Sequence, residues 1–503
     1  MTMPRIIEKT DIPPSDQDLQ LDKRLDSNLK FFDKVLGIGE SYDMIKRQMS
    51  FAGHDLCLLY INGFIKDGII DDVLRLLAQL KREQLAGDTI EKLAGTYLAH
   101  TQVEKQNKTN EIITAILSGQ TVILVDGFDQ ALVIDARSYP ARTPAEPELE
   151  RVVRGSRDGF VETLVQNTVL TRRRIRDPRL RMETMKIGKR SKTDVCVAYL
   201  QDVADDTLVD EIKARLEKID VDGLPMAEKS VEEWLTKRNN WNPYPIVRYT
   251  ERPDVAAMHL LEGHVLIYVD TSPSVMITPT TIFHHVQHAE EFRENPAVGA
   301  YVRWVRFLGI LASLFLIPLW VLFTLVHREW LPVPLDFLGP DEVGAIPIIL
   351  QFLLADIGID MMRMAAIHTP SPLATAMGLI AAVLIGDIAV KVGLFSPESI
   401  LYLAVAAIGM FATPSYELSM ANRLSRMFFI LAVAFLDWYG LVAAVALWFI
   451  LLARTKSVTR PYLWPLLPLN LKALWEIIVR TPMQYKNQRP AIVRPKDKDR
   501  QPN

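Results

Sequence analysis

The stretch FLGILASLFLIPLWVLFTLV, Phe307 to Val326, runs for twenty residues without a charge. As a helix rising 1.5 Å per residue it is long enough to span the hydrocarbon of a bilayer, about 30 Å. Arg303 and Arg306 stand just before it, and about 300 residues precede it, so its position excludes a signal anchor. Charge divides the 503-residue chain in the same place. Residues 1–300 carry 39 Lys+Arg and 47 Asp+Glu, a net of −8, whereas residues 301–503 carry 18 and 13, a net of +5. Tyr301 to Ala453 holds only 17 charged residues in 153 positions, and Arg454 to Asn503 holds 11 basic and 3 acidic ones. A charge-poor block of that length is membrane-like. The expected fold class is an α/β cytoplasmic region of two related subdomains followed by an all-α polytopic membrane domain.

Within the membrane part, Ala345 to Ile367 is apolar except for Asp356, Asp360 and Arg363, which share one helical face. It reads as an amphipathic segment that does not fully cross. Leu373 to Val390 is apolar up to Asp387 and rich in small residues suited to close helix contact. Ile400 to Thr413 is short and runs into Pro414, Tyr416 and Glu417, the pattern of a broken helix. Met427 to Ala453, 27 residues interrupted only by Asp437, reads as one tilted span. Basic residues before the first span and after the last put both ends in the cytoplasm. That needs an even number of crossings, met by spans at 307–326, 373–395, 397–416 and 427–453. Arg423 and Arg426 then fall outside, which counts against the scheme and keeps five crossings as the alternative. Asp356, Asp360, Asp387, Asp437 and Glu417 are ion-path candidates, because ionisable groups at membrane depth by default mark a path for ions or substrate. Taken singly, each is as readily a partnered structural acid.

The aqueous part reads as a duplication. DLCLLYINGF (Asp55 to Phe64) predicts a strand and IIDDVLRLLAQL a helix; DVCVAYLQDV (Asp194 to Val203) and TLVDEIKARLEKI repeat the order. EIITAILSGQTVILVDG (Glu111 to Gly127) and DVAAMHLLEGHVLIYVD (Asp254 to Asp270) form a second pair, each a helix followed by a strand. The offsets are 139 and 144 residues. The division is a lead-in at 1–30, subdomains at 31–137 and 151–295 joined by a Pro-rich linker at 138–150, a transmembrane domain at 296–453 and a basic cytoplasmic tail at 454–503. The opening MTMPRIIEKTDIPP has no apolar run of the kind a secretory signal needs. The two cysteines, Cys57 and Cys196, hold the same place in matching strands and read as core residues in a reducing compartment.

Phosphate-loop, zinc-hydrolase, acyl-transfer and dinucleotide motifs are absent from the sequence, so no enzyme and no cofactor is expected. RRRIRDPRLR (Arg172 to Arg181) could track phosphates, yet its surroundings are acidic and no aromatics interleave to stack bases. Nucleic acid is not an expected partner. Arg172, Arg173, Arg174 and Arg176 are candidates for contact with acidic surfaces of this or a neighbouring subunit, or with lipid headgroups. His284 and His288 have i,i+4 spacing, with His285 between them and Glu290 and Glu291 nearby. A helix near the membrane with interfacial histidines is the preferred reading over a metal site.

The segments RRRIRDPRLRMETMKIGKRSKTDVCVAYLQDVAD, IDVDG (Ile219 to Gly223), YPIVRYTERPDVAAMHLLEGHVLIYVD, LIGDIAVKVGLFSP, TPSYELSMANRL and RPYLWPLLPL resemble the A-subunit family of spore germinant receptors. The resemblance runs from about residue 31 through most of the chain. GIGESYD (Gly37 to Asp43) and LYINGFIKDG (Leu59 to Gly68) look most like a branch encoded with the spore dipicolinate channel genes. It implies a multi-pass protein of the spore inner membrane with a two-lobed cytoplasmic region. It further implies a ring-shaped homo-oligomer, a pentamer, that passes monovalent cations during germination. Receptor members work with B and C subunits; the branch is implied to amplify ion release with a small membrane partner. Pro414, Tyr416, Glu417 and Arg423 match the family's P-x-Y-E-L stretch and following Arg, and Arg154, Gly155 and Gly159 match its R-G-x-x-x-G turn. Asp387 stands where relatives often have Gln, and His284 and His285 where they have aromatics or Gln. The resulting expectation is a homo-oligomeric cation channel in which Asp387, Glu417 and Asp360 or Asp437 shape the path. A non-conducting scaffold and a nutrient-receptor A subunit are the alternatives.

Overall fold

The structure, a computed structural model, describes residues 19–65, 67–85, 87, 89–98, 102–139, 150, 152–236, 241–368 and 388–501. The chain forms two compact units. One comprises residues 1–237, 247–279 and 484–503, and the other residues 238–246 and 280–483.

The first unit contains two five-stranded antiparallel sheets. The first half runs α1 (Leu25–Leu36), β1 (Met44–Phe51), β2 (His54–Ile61), α2 (Asp67–Gln79), β3 (Val103–Gln106), α3 (Thr109–Leu117), β4 (Thr121–Val125) and β5 (Ala131–Ile134). The second runs α4 (Leu164–Arg172), β6 (Leu180–Ile187), β7 (Thr193–Leu200), α5 (Asp206–Glu217), α6 (Ala227–Leu235), β8 (Arg248–Thr250), α7 (Pro253–Glu262), β9 (Val265–Val269) and β10 (Val275–Thr278). Strand orders are β1-β2-β4-β5-β3 and β6-β7-β9-β10-β8, the same arrangement used twice. The register repeats as well. Cys57 pairs with Gln48 and Leu124, and Cys196 with Thr184 and Tyr268, the same positions in each set of strands. Both thiols are buried, and burial pushes that of Cys57 up to about 12.

Layering explains why these strands read as continuous apolar runs. Cys57, Leu59 and Ile61 pack with Phe32 of α1 and Ile112 and Ile116 of α3. Leu56 and Leu58, pointing the other way, pack with Ile70, Val73 and Leu77 of α2. With helices on both faces the strand has no solvent side, so alternation is lost. Two expectations are corrected. The lead-in is shorter than residues 1–30, because α1 begins at Leu25 and buries Leu25 and Leu29. Residues 484–501 are not a free tail but a strap on the second sheet's side of this unit. Lys486 pairs with Glu262 at 2.7 Å, the Arg489 Nε donates to the Leu261 carbonyl at 2.9 Å, and Ile492 and Val493 are buried.

The second unit is helical: α8 (Pro296–Val326), α9 (Ile348–His368), α10 (Pro397–Phe411), α11 (Tyr416–Arg454) and α12 (Leu471–Ile478). Pro318 sits inside α8, where it can donate no hydrogen bond, and wide π turns at Ala312–Leu316 and Leu322–Val326 flank it. α8 and α10 cross in backbone contact at Gly309 and Gly409; a Cβ on Gly409 would collide with the Gly309 carbonyl. α8 and α11 are long and apolar enough to cross a membrane.

Helix α11 is not one rod. Asp437 has φ 60° and ψ −151°, outside helical space. The Phe429 and Trp448 rings, one on each side of it, stand 6.2 Å apart. In a continuous helix they would be separated by about 28 Å. The chain therefore reverses at Asp437, and a Cβ at Gly440 would strike the Ala432 carbonyl across the turn. The single span expected over 427–453 is thus corrected to two antiparallel arms. Most of the span expected at 373–395 lies outside the described residues.

Candidate functional site: a buried arginine and aspartate cluster

The repeat of i, i+4 and i+7 that puts Asp356, Asp360 and Arg363 on one face of α9 lays them along the first arm of α11. Arg426 donates to Asp356 at 2.5 Å and to the Ser313 carbonyl at 2.9 Å. Arg423 pairs with Asp360 and lies 3.9 Å from Asp356. Arg363 reaches the Met420 sulfur at 3.1 Å and stands 5.3 Å from the ring centroids of both Phe411 and Tyr416. Asp356, Arg423 and Arg426 are essentially inaccessible, and Asp356 Oδ2 takes no hydrogen bond among the described residues. Phe352 and Phe429 on neighbouring turns are buried in the apolar core. Charges in such a place cost several kcal/mol each unless paired, and a pair that loses one partner costs about 3–5 kcal/mol.

The acids expected to face an open path are thereby answered by arginines of the same chain. Asp356 and Asp360 thus stand in the partnered arrangement that was the alternative reading for each acid: lone carboxylates could not stay charged in apolar packing, and Arg423 and Arg426 supply the countercharge. Arg426, which the sequence reading placed outside the membrane with Arg423, is the member whose partner it did not find. Its signal was present, since it lies one helical turn from Arg423.

The other candidates lie apart. Asp437 is at the reversal of α11, 41% exposed, with His327 Nε2 2.8 Å away, so it is a turn residue and not a mid-span acid. Glu417 is partly buried in the first turn of α11, where Ser415 Oγ accepts from the Leu418 N–H. Pro414 and Tyr416 form the link from α10 to α11, and Tyr416 is exposed beneath Arg363. Asp387 lies outside the described residues.

Both arms of α11 are tied by Tyr244, whose Oη shares a hydrogen bond with Ser425 at 2.8 Å and accepts one from Trp448 Nε1 at 2.6 Å. A second buried charge group, also missed in sequence, stands at the start of α8. Glu291 accepts from Arg303 at 2.7 Å and from Arg306 at 2.6 Å, so these arginines are used inside the fold.

The arginine run of the first unit also works within the chain. Arg172 is wholly buried and gives Asp43 two hydrogen bonds, at 2.8 and 3.1 Å. Arg174 pairs with Asp158 at 2.7 Å, Arg173 stands over the Tyr139 ring and Arg176 donates to Ser118. The run thus clamps the two sheets together, Asp43 coming from the GIGESYD stretch. Of the alternatives for Arg172, the acidic partner within its own chain is the one realised, and the residue has no surface left to offer lipid or a neighbouring subunit. Arg154 is exposed and Gly155, at φ +139°, turns the chain toward the buried Gly159 ahead of α4. The expected histidine helix is instead two short 3-10 turns. His284 Nδ1 accepts from the Thr281 N–H and His288 Nδ1 from the Glu290 N–H, so each caps its own short turn. Among the described residues no group of three or more His, Cys, Asp or Glu could hold a metal.

The chain is thus a two-sheet unit followed by an apolar helical unit that holds this cluster. The chain belongs to the Bacillus/Clostridium GerA spore germination protein family, which it matches over residues 32–492. It is 52% identical over 475 residues to stage V sporulation protein AF of Bacillus subtilis (strain 168), covering 94% of this chain and 96% of that one. Spore germination protein KA of the same organism is 30% identical over 471 residues, 92% of this chain and 86% of that one. Spore germination protein B1, also from that organism, is 30% identical over 490 residues, 96% and 100% of the two chains. The crystal structure of the N-terminal domain of the A subunit of the Bacillus megaterium spore germinant receptor GerK3 matches with a TM-score of 0.41 and 27% identity, covering 52% of this chain and 96% of that one.

Proposed function

We propose that the protein is a non-enzymatic, multi-pass channel of the spore inner membrane that releases monovalent cations and amplifies the germination signal. In this reading it works as a ring-shaped homo-oligomer, a pentamer, with germinant-receptor subunits or a small membrane partner beside it. The observation that carries the proposal is the buried Asp356, Asp360, Arg423 and Arg426 cluster inside an apolar helical unit. Packing alone does not require three desolvated charges, Asp356, Arg423 and Arg426, with Asp360 at their edge, and such groups at membrane depth mark ion paths. With each acid held by an arginine, the arrangement is that of a closed gate, and opening would free carboxylates to meet cations. Two further features support membrane insertion. Residues 19–236 and 484–501 belong to the same sheet-containing unit, which fits termini on one side of a membrane. The reversal at Asp437 returns the second arm of α11 to the end where the first begins. Arg423, Arg426 and Arg454 then share one half of the hairpin, which removes the charge conflict of a single span.

The pairing of Asp356 within one chain also favours a second reading, a non-conducting scaffold for germination proteins in which the cluster only fixes helix packing. Potassium release from liposomes holding the purified protein separates the two. A channel leaks potassium, and Asp387→Asn or Glu417→Gln changes the rate. A scaffold that forms rings and shows no release, alone or with its membrane partner, would exclude conduction.

A further inference from the structure

Helix α12 has a strong apolar stripe, and it points outward. Leu471, Leu474, Trp475 and Ile478 follow i, i+3, i+4, i+7 and so share one face. Leu471 is 70% exposed and Trp475 64%, while Ile477 on another face is buried. The loop before it exposes Leu467 and Leu469 as well. Water is a poor solvent for such a stripe, so in the working protein something apolar covers it.

The attachment of α12 says what. Its last carbonyls are held by the start of α8: Arg303 Nη1 donates to Ile477 at 2.7 Å and to Glu476 at 3.1 Å, and Trp304 Nε1 donates to Ile478 at 2.8 Å. A cation at a helix C-terminus also complements the helix dipole. Trp304 lies about 4.5 Å along the axis before Phe307, where the uncharged stretch of α8 begins. The C-terminal end of α12 is therefore pinned at the level where α8 would enter the hydrocarbon. The exposed side of α8 there, Tyr301, Trp304, Val305 and Leu308, adds aromatic and apolar surface of the kind found at membrane interfaces.

We propose that α12 and the loop before it lie flat in the membrane–water interface, with Leu471, Trp475 and Ile478 dipping into lipid beside the entry of α8. The proposal rests on the reading that α8 crosses a membrane. A helix in this position, clamped by Arg303, would couple the lipid surface to the first membrane helix.

Site-directed spin labelling of the full chain in phosphatidylcholine–phosphatidylglycerol liposomes tests it, because the native Cys57 and Cys196 are buried and labels go to introduced cysteines. Four variants are compared: Leu471→Cys, Trp475→Cys, Lys472→Cys on the polar side and Leu319→Cys midway along α8. Power-saturation depth, from oxygen against a nickel chelate, should read deep at 319, shallow but within lipid at 471 and 475, and aqueous at 472. A deep 319 with 471 and 475 as aqueous as 472 would overturn the proposal and leave the crossing intact. A deep 319 with 471 and 475 immobilised and shielded from both reagents would overturn it in favour of a protein cover. An aqueous 319 would overturn the crossing itself, and the proposal with it.

Discussion

Phe429 and Trp448 have ring centroids 6.2 Å apart although 19 positions separate them in an apolar stretch whose one charged residue is Asp437. Their contact defines the architecture of the helical unit, because it requires the chain to fold back at Asp437. The Phe315 ring completes the packing, 5.7 Å from Phe429 and 6.0 Å from Trp448, so α8 closes on both arms of the hairpin.

The reversal is measurable as a distance. Spin labels at Leu424→Cys and Ile450→Cys, both exposed sites equally far from Asp437, should lie within about 20 Å of each other by double electron–electron resonance. A continuous helix would hold the two backbones about 39 Å apart.

The clamp between the sheets should dominate the stability of the first unit. Arg172→Ala leaves Asp43 buried without its cation and is expected to cost about 3–5 kcal/mol. Arg190→Ala, whose partner Asp222 is also well exposed, is expected to cost less than about 1 kcal/mol. Thermal unfolding of the full chain, followed through the sheets by circular dichroism, ranks the two; equal losses would contradict the clamp.

Acid should act on the strap side of the second sheet in two windows. Burial, with the neighbouring His264 and Arg248, holds His259 down at about 3, and burial holds His264 at about 4. Both remain neutral in the fold, while in the unfolded chain they take up protons near pH 6.5. Their effect is absent above that pH and removes stability as pH falls from about 6.5 toward 4, by up to about 1.4 kcal/mol per unit for each ring. Burial opposes the charged form of Glu262, yet Lys486 and the two histidines bring it to about 2. Its contribution is complete above about 4.5 and lost from there toward pH 2. Urea titrations across pH should show His264→Gln flattening the upper window and Lys486→Met shrinking the lower one.

The sequence carried the duplicated α/β plan clearly, because strands covered on both faces read as long apolar runs and Cys57 and Cys196 mark equal registers. It also carried the polar face of α9, since helical spacing alone brings Asp356, Asp360 and Arg363 together. What it did not carry was the partner of that face. Arg423 and Arg426 come from another helix, and only tertiary packing brings them to the aspartates. The reversal at Asp437 was likewise hidden, because a turn made by one residue at positive φ, with no Pro and with its Gly440 three residues further on, interrupts the apolar pattern at Asp437 alone. For residues 172–181 the sequence indicated acidic partners without naming them, because only the fold brings Asp43 and Asp158 to the run.

In the proposed channel the gate is held by the pairing of Asp356 with Arg426, and exchanging the two charges tests it most directly. Potassium efflux from liposomes should rise well above the wild-type rate in Asp356→Asn and fall back toward it when Asp356→Arg and Arg426→Asp are combined. Wild-type efflux in all three proteins, with the single variant still folded and assembled, would contradict a gate at this pair.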